Sequence, residues 1–325
     1  MSKKHFADDF IDAINSDNTL NEASKNIVLR NLAKIKETKV NILITGATGC
    51  GKSSTINALF NANKAKVGQG VDPETMEISK YEFDNIVLFD SPGLGDGKEA
   101  DLKHAKAITN KLYEKDKDGN LLIDLVLVIL DGSSRDLGTS FELINQVIIP
   151  NLGDDKNRLL VAINQADMAM KGRYWNVEKN HPEPELVNFL EEKVISTKNR
   201  IYEATGVKVD PIYYAAGYKD GVSTQNPYNL SKLLVHILRH TKEEKRAVFA
   251  QDINSDKEMW KDDDRLEDYR TEIKETLLES IKNSASAGAD IGESIGAALG
   301  MRTVGKVIGG VAGGIWGGVK SIFGF

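Results

Sequence analysis

The chain has 325 residues, of which 41% are hydrophobic and 28% charged, and its formal net charge is −6. This composition predicts a soluble globular protein with a sizeable core, and the lack of a long basic run makes nucleic-acid binding a weaker alternative. The single cysteine, Cys50, excludes an internal disulfide and predicts a reducing, cytoplasmic compartment. The N-terminal segment MSKKHFADDF lacks the apolar stretch of a secretory signal peptide.

The chain alternates between helical and strand patterns after two N-terminal helices. Apolar residues at helical spacing predict those two helices within 6–38, with a break near Asn18. Short apolar runs then predict strands at 40–46, 80–90 (a hairpin turning at Asp84-Asn85), 122–130, 158–163 and 209–214. Helical stretches separate them at 97–115, 136–149, 185–205 and 229–242, and a charged helical stretch follows at 246–282. This alternation predicts an α/β fold with a mostly parallel sheet covered on both faces, to which the hairpin adds an antiparallel edge strand.

The segment GATGCGKSS, residues 46–54, follows a predicted strand, opens a predicted helix and fits the phosphate-loop pattern G-x-x-x-x-G-K-[ST]. The backbone N–H groups of such a loop converge on phosphate oxygens at a helix N-terminus. We expect Lys52 to reach the β- and γ-phosphates and Ser53 to bind Mg²⁺. The candidate nucleotide-binding residues of this loop are Gly46, Ala47, Thr48, Gly49, Cys50, Gly51, Lys52, Ser53 and Ser54.

Two downstream segments complete the predicted magnesium and γ-phosphate site. In IVLFDSPG, residues 86–93, Asp90 is positioned to hold Mg²⁺ and Gly93 to bring a backbone amide close to the γ-phosphate. In VDPETMEI, residues 71–78, Thr75 is a candidate ligand of Mg²⁺, although a plain surface turn is the alternative. The predicted catalytic residues are therefore Lys52, Thr75 and Gly93, and the predicted metal ligands are Ser53, Thr75 and Asp90.

The segment LLVAINQAD, residues 159–167, ends a buried strand with polar residues at the sheet edge where such folds bind ligands. The Asp167 carboxylate can accept from both N1–H and the exocyclic amine of guanine, and adenine lacks this pair of donors. Asn164 is expected to fix the loop and to face the O6/N7 edge of the base. Downstream of a phosphate loop, this segment predicts guanine recognition.

Together the phosphate loop, Thr75, DSPG and NQAD resemble the translation-factor-related class of P-loop GTPases. The chain is similar to the Era-like, 50S ribosome-binding GTPase family and to its bacterial YfjP/YeeP-like members. The resemblance covers about residues 38–242. It implies a three-layer fold with six strands and five helices, Mg²⁺-dependent hydrolysis of GTP to GDP and phosphate, and conformational switching at 65–79 and 91–100.

The chain departs from the family pattern at three points. Gln165 stands where the family has a lysine that covers the base, so we expect guanine specificity with a lower affinity. Ala215-Ala216 replace Ser-Ala of the fifth motif and leave only backbone N–H groups, mainly that of Ala216, for guanine O6. Leu94 stands where many relatives have a glutamine that orients water. Hydrolysis is therefore expected to be slow unless a partner, a second protomer or K⁺ supplies the missing group.

Residues 284–325 form a glycine-rich apolar tail. Its glycines recur in steps of four, at 288, 292, 296 and 300 and again at 305, 309, 313 and 317. This spacing places them on one helical face and favours close helix packing, with a disordered tail as the alternative. We predict four segments: a helical extension (1–38), a GTPase domain (39–245), a charged helical segment (246–283) and this tail (284–325).

The sequence as a whole predicts a GTP-hydrolysing molecular switch. Its tail is expected to mediate membrane association or self-association, with a cytoplasmic location that includes the inner face of the membrane. One alternative is a ribosome-associated assembly GTPase, which the lack of a basic domain after residue 242 disfavours. Another is a defence or toxin-like GTPase whose tail is the effector. The insertion at 171–185 is either an effector surface or a plain surface loop.

Overall fold

A computed structural model describes residues 5–16, 22–60, 66–68, 78–95, 97–220 and 223–286. Numbered along the chain, its strands are β1 (Val40–Gly46), β2 (Lys66–Gly68), β3 (Ser79–Glu82), β4 (Ile86–Asp90), β5 (Leu125–Asp131), β6 (Leu159–Asn164), β7 (Trp175–Asn176), β8 (His181–Pro182), β9 (Ile212–Tyr213), β10 (Tyr218–Asp220) and β11 (Ser223–Gln225). Within the described ranges, seven of these strands form one sheet in the order β2-β3-β4-β1-β5-β6-β9.

The sheet is mostly parallel. β1 pairs in parallel with both β4 and β5, and parallel pairing continues through β6 to β9. β3 and β2 add an antiparallel edge, and two separate hairpins form from β7–β8 and from β10–β11. The predicted α/β fold class and the predicted hairpin within 80–90 are therefore confirmed, and β2 extends the sheet by one short edge strand.

The central strands are apolar on both faces because helices cover the sheet on both sides. Alternate residues of β1 belong to different hydrophobic clusters: Ile42 and Ile44 to one, and Leu43 to the other. This follows from the two-residue period of a strand, which points neighbouring side chains to opposite faces. The apolar runs in the sequence are thus the inner layer of a three-layer protein.

The helices, numbered along the chain, divide between the two faces of the sheet. They are α1 (Phe6–Ser16), α2 (Glu22–Glu37), α3 (Lys52–Phe60), α4 (Lys98–Tyr113), α5 (Gly138–Glu142), α6 (Ile149–Asn151), α7 (Pro184–Thr205), α8 (Leu230–His240), α9 (Glu243–Arg246), α10 (Phe249–Asp252) and α11 (Leu266–Ser286). A π-helical turn, Leu143–Ile148, joins α5 to α6. α4 to α7 contribute to the cluster that contains Leu43, whereas α1 to α3, α8, α10 and α11 contribute to the other.

The helices at the two ends of the described chain share a core with the sheet. α1 and α2 confirm the predicted N-terminal pair, and α11 packs against α2 and α8. Leu32 of α2, Leu234 of α8 and Ile273 of α11 are all buried in one hydrophobic cluster. Because that cluster runs across residues 38 and 245, the division into segments at these points stays a prediction.

Two predicted elements differ in the structure. The predicted helical stretch 246–282 begins at the last residue of α9 and contains the short helix α10, an irregular segment with a 3-10 turn at Lys257–Trp260, and then most of α11. Trp260 is fully buried and its indole N–H donates to the Asn254 carbonyl at 2.8 Å, so this aromatic side chain anchors a loop where the charge pattern predicted helix. The predicted strand at 209–214 pairs only over Ile212–Tyr213.

The predicted glycine-faced tail lies outside the described residues beyond Ser286. Within the described ranges, no helix combines the length and the apolar character needed to cross a bilayer.

Candidate functional site

The polar residues singled out in the sequence meet at one edge of the sheet. Parallel pairing aligns Ile44 of β1 with Asp90 of β4, and Asp131 of β5 with Asn164 of β6. β1 lies where the order of the strands reverses, with β4 on one side and β5 on the other. In open α/β sheets such a point opens a crevice at the carboxyl ends of the strands, and ligands bind there.

The phosphate loop connects β1 to α3 within this crevice. Gly49 and Gly51 have φ of 80° and 90°, a region that favours glycine, and they let the loop curl back over the helix N-terminus. Lys52 Nζ donates to the carbonyls of Gly46 and Ala47 at 3.3 Å each, so the ammonium lies directly over the loop. This places a positive charge and the N-terminus of α3 on the same side of the crevice.

Cys50 faces inward from the loop and is fully buried. Burial raises the pKa of its thiol to about 11, against a smaller opposing effect of Lys52. A neutral, buried thiol is a poor nucleophile. Its burial and raised thiol pKa give Cys50 the character of a small structural side chain of the loop.

Asp90 carries a buried carboxylate beside Lys52. Its Oδ1 has no hydrogen-bond partner among the described residues, and burial raises the pKa of Asp90 to about 6 while the nearby Lys52 charge opposes the shift. An unpartnered buried carboxylate oxygen is costly, and an oxygen of this kind fits a hard cation such as Mg²⁺. Ser53 is exposed at the start of α3, and Thr75 lies outside the described residues.

The segment after Asp90 docks on the phosphate loop. Thr48 N–H donates to the Leu94 carbonyl at 3.0 Å, and Leu94 N–H donates to the Gly46 carbonyl at 3.3 Å. A Cβ on Gly93 would approach the Thr48 backbone closer than 3.0 Å, so only glycine allows this contact. His104 of α4 lies behind the segment, with Nδ1 3.1 Å from the Gly93 carbonyl oxygen.

Asn164 joins the phosphate loop to the loop after β9. Its side-chain Nδ2–H donates to the Cys50 carbonyl at 2.9 Å, and its Oδ1 accepts from Ala216 N–H at 2.9 Å. A Cβ on Gly51 would approach Asn164 Nδ2 closer than 3.0 Å, so the glycine of the phosphate loop makes room for this side chain. The predicted role of Asn164 in fixing the loops agrees with these contacts.

Gln165 and Asp167 lie on the turn that follows β6. Gln165 has φ of 60°, and its side-chain Nε2–H donates to the Gly49 carbonyl at 2.7 Å, which lays its stem between the turn and the phosphate loop. Asp167 is 9% exposed, and its Oδ2 accepts from Gln225 Nε2–H at 3.1 Å. Burial raises the pKa of Asp167, and the hydrogen bond from Gln225 opposes this shift.

The backbone N–H groups of Ala215 and Ala216 already have partners within the protein. Ala215 N–H donates to the Tyr228 carbonyl at 3.0 Å, and Ala216 N–H donates to Asn164 Oδ1. The contact predicted from Ala216 to guanine O6 therefore requires that N–H to be shared or released by Asn164, and it stays a prediction.

Three functional candidates were missed in the sequence. Gly132, after β5, donates its N–H to the Asn164 carbonyl at 2.7 Å, and the segment LDGSS at the end of an apolar strand was a signal for it. His104 and Gln225 had no such signal, because each reaches the site through the fold.

The described residues hold no cluster of three or more histidine, cysteine, aspartate or glutamate side chains that could bind a metal.

Comparison with known proteins shows what part of this chain is similar to a known family. Residues 41–165 match the model of the 50S ribosome-binding GTPase family. The probable GTP-binding protein EngB of Malacoplasma penetrans is 28% identical over 153 residues, which cover 44% of this chain and 72% of that protein. The Fe(2+) transporter FeoB of Helicobacter pylori is 31% identical over 147 residues, but these span only 20% of its length and 43% of this chain.

Among solved structures, the G domain of the T. maritima FeoB iron transporter superposes with a TM-score of 0.37 and 18% identity. The superposition covers 62% of this chain and 98% of that domain. The matched segment, 41–165, runs from β1 to the NQAD turn and so contains the phosphate loop, Asp90, Gly93 and Asn164. The similarity to the 50S ribosome-binding GTPase family is therefore a similarity of residues 41–165, the part of the chain that carries these residues.

Proposed function

We propose that this chain binds GTP and GDP together with Mg²⁺, hydrolyses GTP to GDP and phosphate, and works as a molecular switch. The observation that carries this proposal is the Asn164 side chain, which ties the phosphate loop to the base-reading turn and to the loop of Ala215 and Ala216. These three loops then enclose one nucleotide, with its phosphates over α3 and its base beside Asp167.

On the phosphate side, Lys52 contacts the β- and γ-phosphates through charge-assisted hydrogen bonds. Ser53, Asp90 and Thr75 are the proposed ligands of Mg²⁺, which neutralises charge that develops on the phosphates during transfer. The buried Oδ1 of Asp90, which has no hydrogen-bond partner among the described residues, supports this assignment. Gly93 brings its N–H toward the γ-phosphate, with its segment docked on the phosphate loop at Thr48.

The chain offers no side chain at position 94 to orient water, because Leu94 is 6% exposed and packs in the core. We therefore propose slow intrinsic hydrolysis and a catalytic group from outside the domain. An activating partner, a second protomer or K⁺ can supply it. The rate of GTP hydrolysis distinguishes the three sources. It depends on the concentration of the partner in the first case, on the concentration of the protein itself in the second, and on the monovalent cation in the third.

The tail and the location of the protein belong to the same proposal. We propose that residues 284–325 attach the switch to the cytoplasmic face of a membrane or to other copies of the chain. The spacing of the glycines supports close packing of this segment, since small residues in steps of four let helix backbones approach.

The test of guanine recognition is a change in base preference at Asp167. The parent protein is expected to bind GDP and GTP at least about a hundredfold more tightly than ADP and ATP, because adenine leaves the buried carboxylate unpaired. Asp167→Asn should lose guanine affinity and gain affinity for XDP, whose C2 carbonyl needs a donor. Binding is measured by titration with Mg²⁺ present, with Asp118→Asn, an exposed aspartate outside the site, as the matched control.

Equal affinity of the parent protein for ATP and GTP would overturn the assignment.

A further inference from the structure

We infer that Gln225 is a positioning residue for guanine recognition, because its side-chain amide holds the carboxylate of Asp167. The inference rests on the proposed function, in which that carboxylate reads the base. It also assigns a role to the hairpin β10–β11 and to the insertion at 171–185, which support this contact.

Gln225 is the side-chain donor that the structure gives Asp167. The distance between Gln225 Nε2 and Asp167 Oδ2 is 3.1 Å, and the two residues are 58 positions apart in the chain. Ala215 stands at the motif position where the family pattern has serine. Its side chain is a methyl group and cannot donate a hydrogen bond to Asp167. A carboxylate that must accept two parallel hydrogen bonds from a base works only in one orientation, so a donor on one of its oxygens fixes the geometry of the other.

Gln225 lies close to Asp167 because the chain turns tightly at Gly217 and folds back as the hairpin β10–β11. Gly217 has φ of 71°, and a Cβ there would approach the Gln225 carbonyl closer than 3.0 Å. The hairpin therefore closes directly against the loop of Ala216, which is itself held by Asn164. Antiparallel pairing of Tyr218 with Gln225 then places the glutamine at the base of the hairpin, next to the nucleotide crevice.

The insertion holds the chain just after Gln225. The side-chain amide of Asn180, between β7 and β8, donates to the Asn226 carbonyl at 3.0 Å and to Asp262 Oδ2 at 2.8 Å. Trp175 of the same insertion packs edge-on against Tyr228, with 5.4 Å between the ring centroids. These contacts restrain the chain immediately after Gln225.

The electrostatics of the pair agree with a positioning role. Burial raises the pKa of Asp167, and the Gln225 hydrogen bond works against this shift. Loss of the donor should therefore raise the pKa of Asp167 further. Since only the ionised carboxylate accepts both guanine donors, GDP affinity should then fall at a higher pH on acidification than in the parent protein.

The experiment compares Gln225→Leu and Gln225→Glu with the parent protein, and Thr224→Val serves as the matched control. Thr224 is the exposed neighbour of Gln225 on the same strand and pairs with Lys219. The dissociation constants of GDP, IDP and ADP are measured with Mg²⁺ between about pH 4, near the ordinary pKa of an aspartate, and about pH 8. IDP lacks the exocyclic amine, so the GDP-to-IDP ratio reports how well the second carboxylate oxygen is aimed, and it is independent of the fraction of folded protein.

In Gln225→Leu, the preference for GDP over IDP, measured as the ratio of their dissociation constants, should decrease by about fivefold to tenfold. This is the effect of one lost hydrogen bond to a charged group. Gln225→Glu should reduce this preference for GDP at least as much, because two carboxylates then face each other. Thr224→Val should leave the preference unchanged. The acid limb of GDP affinity should move to higher pH in both Gln225 variants, because each loses the donor to Asp167, and it should not move in Thr224→Val.

A parent protein that prefers GDP over ADP and IDP, together with an unchanged ratio in Gln225→Leu, would overturn the inference and leave the proposed function intact. A parent protein that does not distinguish GDP from ADP would overturn the proposed function itself.

Discussion

Asp90 is the residue at which burial and charge compete most directly in this site. Desolvation disfavours its ionised form and raises its pKa to about 6, although Lys52 lies close enough to oppose the shift. Among the described residues, no group donates to the buried Oδ1 of Asp90. Since an unpartnered buried carboxylate oxygen costs free energy, this observation supports the proposal that Asp90 is a ligand of Mg²⁺.

The pKa of Asp90 predicts a pH-dependent contribution of Mg²⁺ to nucleotide binding. A cation needs the ionised carboxylate, so Mg²⁺ should strengthen GDP binding above the pKa and lose this effect as the pH falls through about 6. The measurement is the ratio of GDP dissociation constants with and without Mg²⁺ across this pH range. Asp90→Asn should show a small ratio at every pH. A ratio that stays constant on acidification in the parent protein would contradict the assignment.

Gly93 gives a steric prediction at the same scale. A methyl group at this position would meet the Thr48 backbone closer than 3.0 Å, so Gly93→Ala forces the docked segment away from the phosphate loop. We expect the rate of GTP hydrolysis to fall roughly a hundredfold, because the γ-phosphate contact is then misplaced by about an ångström. Gly138→Ala is the control, since its Cβ would meet only the flexible Asp136 carboxylate, at 3.1 Å. Equal rates in both variants would show that docking at Thr48 has no role in hydrolysis.

At the scale of elements, the hairpin of β3 and β4 connects the site to the helices that surround it. Asp252 of α10 accepts three backbone N–H groups at the hairpin turn, from Asp84, Asn85 and Ile86, at 3.2, 2.6 and 2.7 Å. The Asn85 side chain donates to the Thr38 carbonyl at 2.8 Å, at the end of α2. One turn thus holds the N-terminal helices, the sheet and α10 together.

Removal of this acceptor should destabilise the whole fold. Asp252→Ala leaves the buried N–H groups of Asn85 and Ile86 without their acceptor, at about 1–3 kcal/mol each, and also frees the more exposed N–H of Asp84. We expect the free energy of unfolding to fall by about 3 kcal/mol or more in urea denaturation. Asp268→Ala, an exposed aspartate in the first turn of α11, should change it by less than about 0.5 kcal/mol. A loss at Asp252 no larger than at Asp268 would show that solvent satisfies the turn.

The elements differ in how far local sequence predicts them. β1, the phosphate loop and α3 follow from an apolar run, a glycine pattern and a helical period within a few residues, and the structure has each of them. The contact of Asp252 with Ile86 spans 166 positions, and no local period encodes it. Gln225 and His104 were missed for the same reason, since their roles arise only when the loops are folded together. The buried Trp260 likewise replaced a predicted helix with an anchored loop.

At the scale of the whole molecule, strand β4 connects the candidate nucleotide site to the helices that pack around the hairpin turn. Asp90 lies at its nucleotide end, and Ile86, held by Asp252, lies at the other. From α10 the chain passes through α11, whose Ser280 hydroxyl accepts from Ala247 N–H at 3.0 Å and donates to the Glu243 carbonyl at 2.6 Å. The proposed tail follows directly, so its attachment point is part of the same packed unit as the site.

The tail prediction concerns residues outside the described part of the chain, and its argument comes from spacing. If the glycine series 305, 309, 313 and 317 packs against another helix, the Gly309→Leu and Gly313→Leu double variant should lose self-association and liposome binding. Liposome flotation and sedimentation are measured with a GTP analogue and with GDP. A chain truncated after Ser286 keeps α11 whole and sets the baseline.

The decisive comparison is with the Gly310→Leu and Gly314→Leu double variant, which has the same composition and adds the same apolar surface. Its leucines lie about 100° around the helix from the proposed face, so association should survive in this control if packing is the cause. A simple hydrophobic anchor makes the opposite forecast, because two added leucines increase lipid affinity wherever they stand. Stronger flotation of both double variants would therefore refute helix packing and leave the tail as an amphipathic anchor, whereas loss in the first pair alone would establish the glycine face.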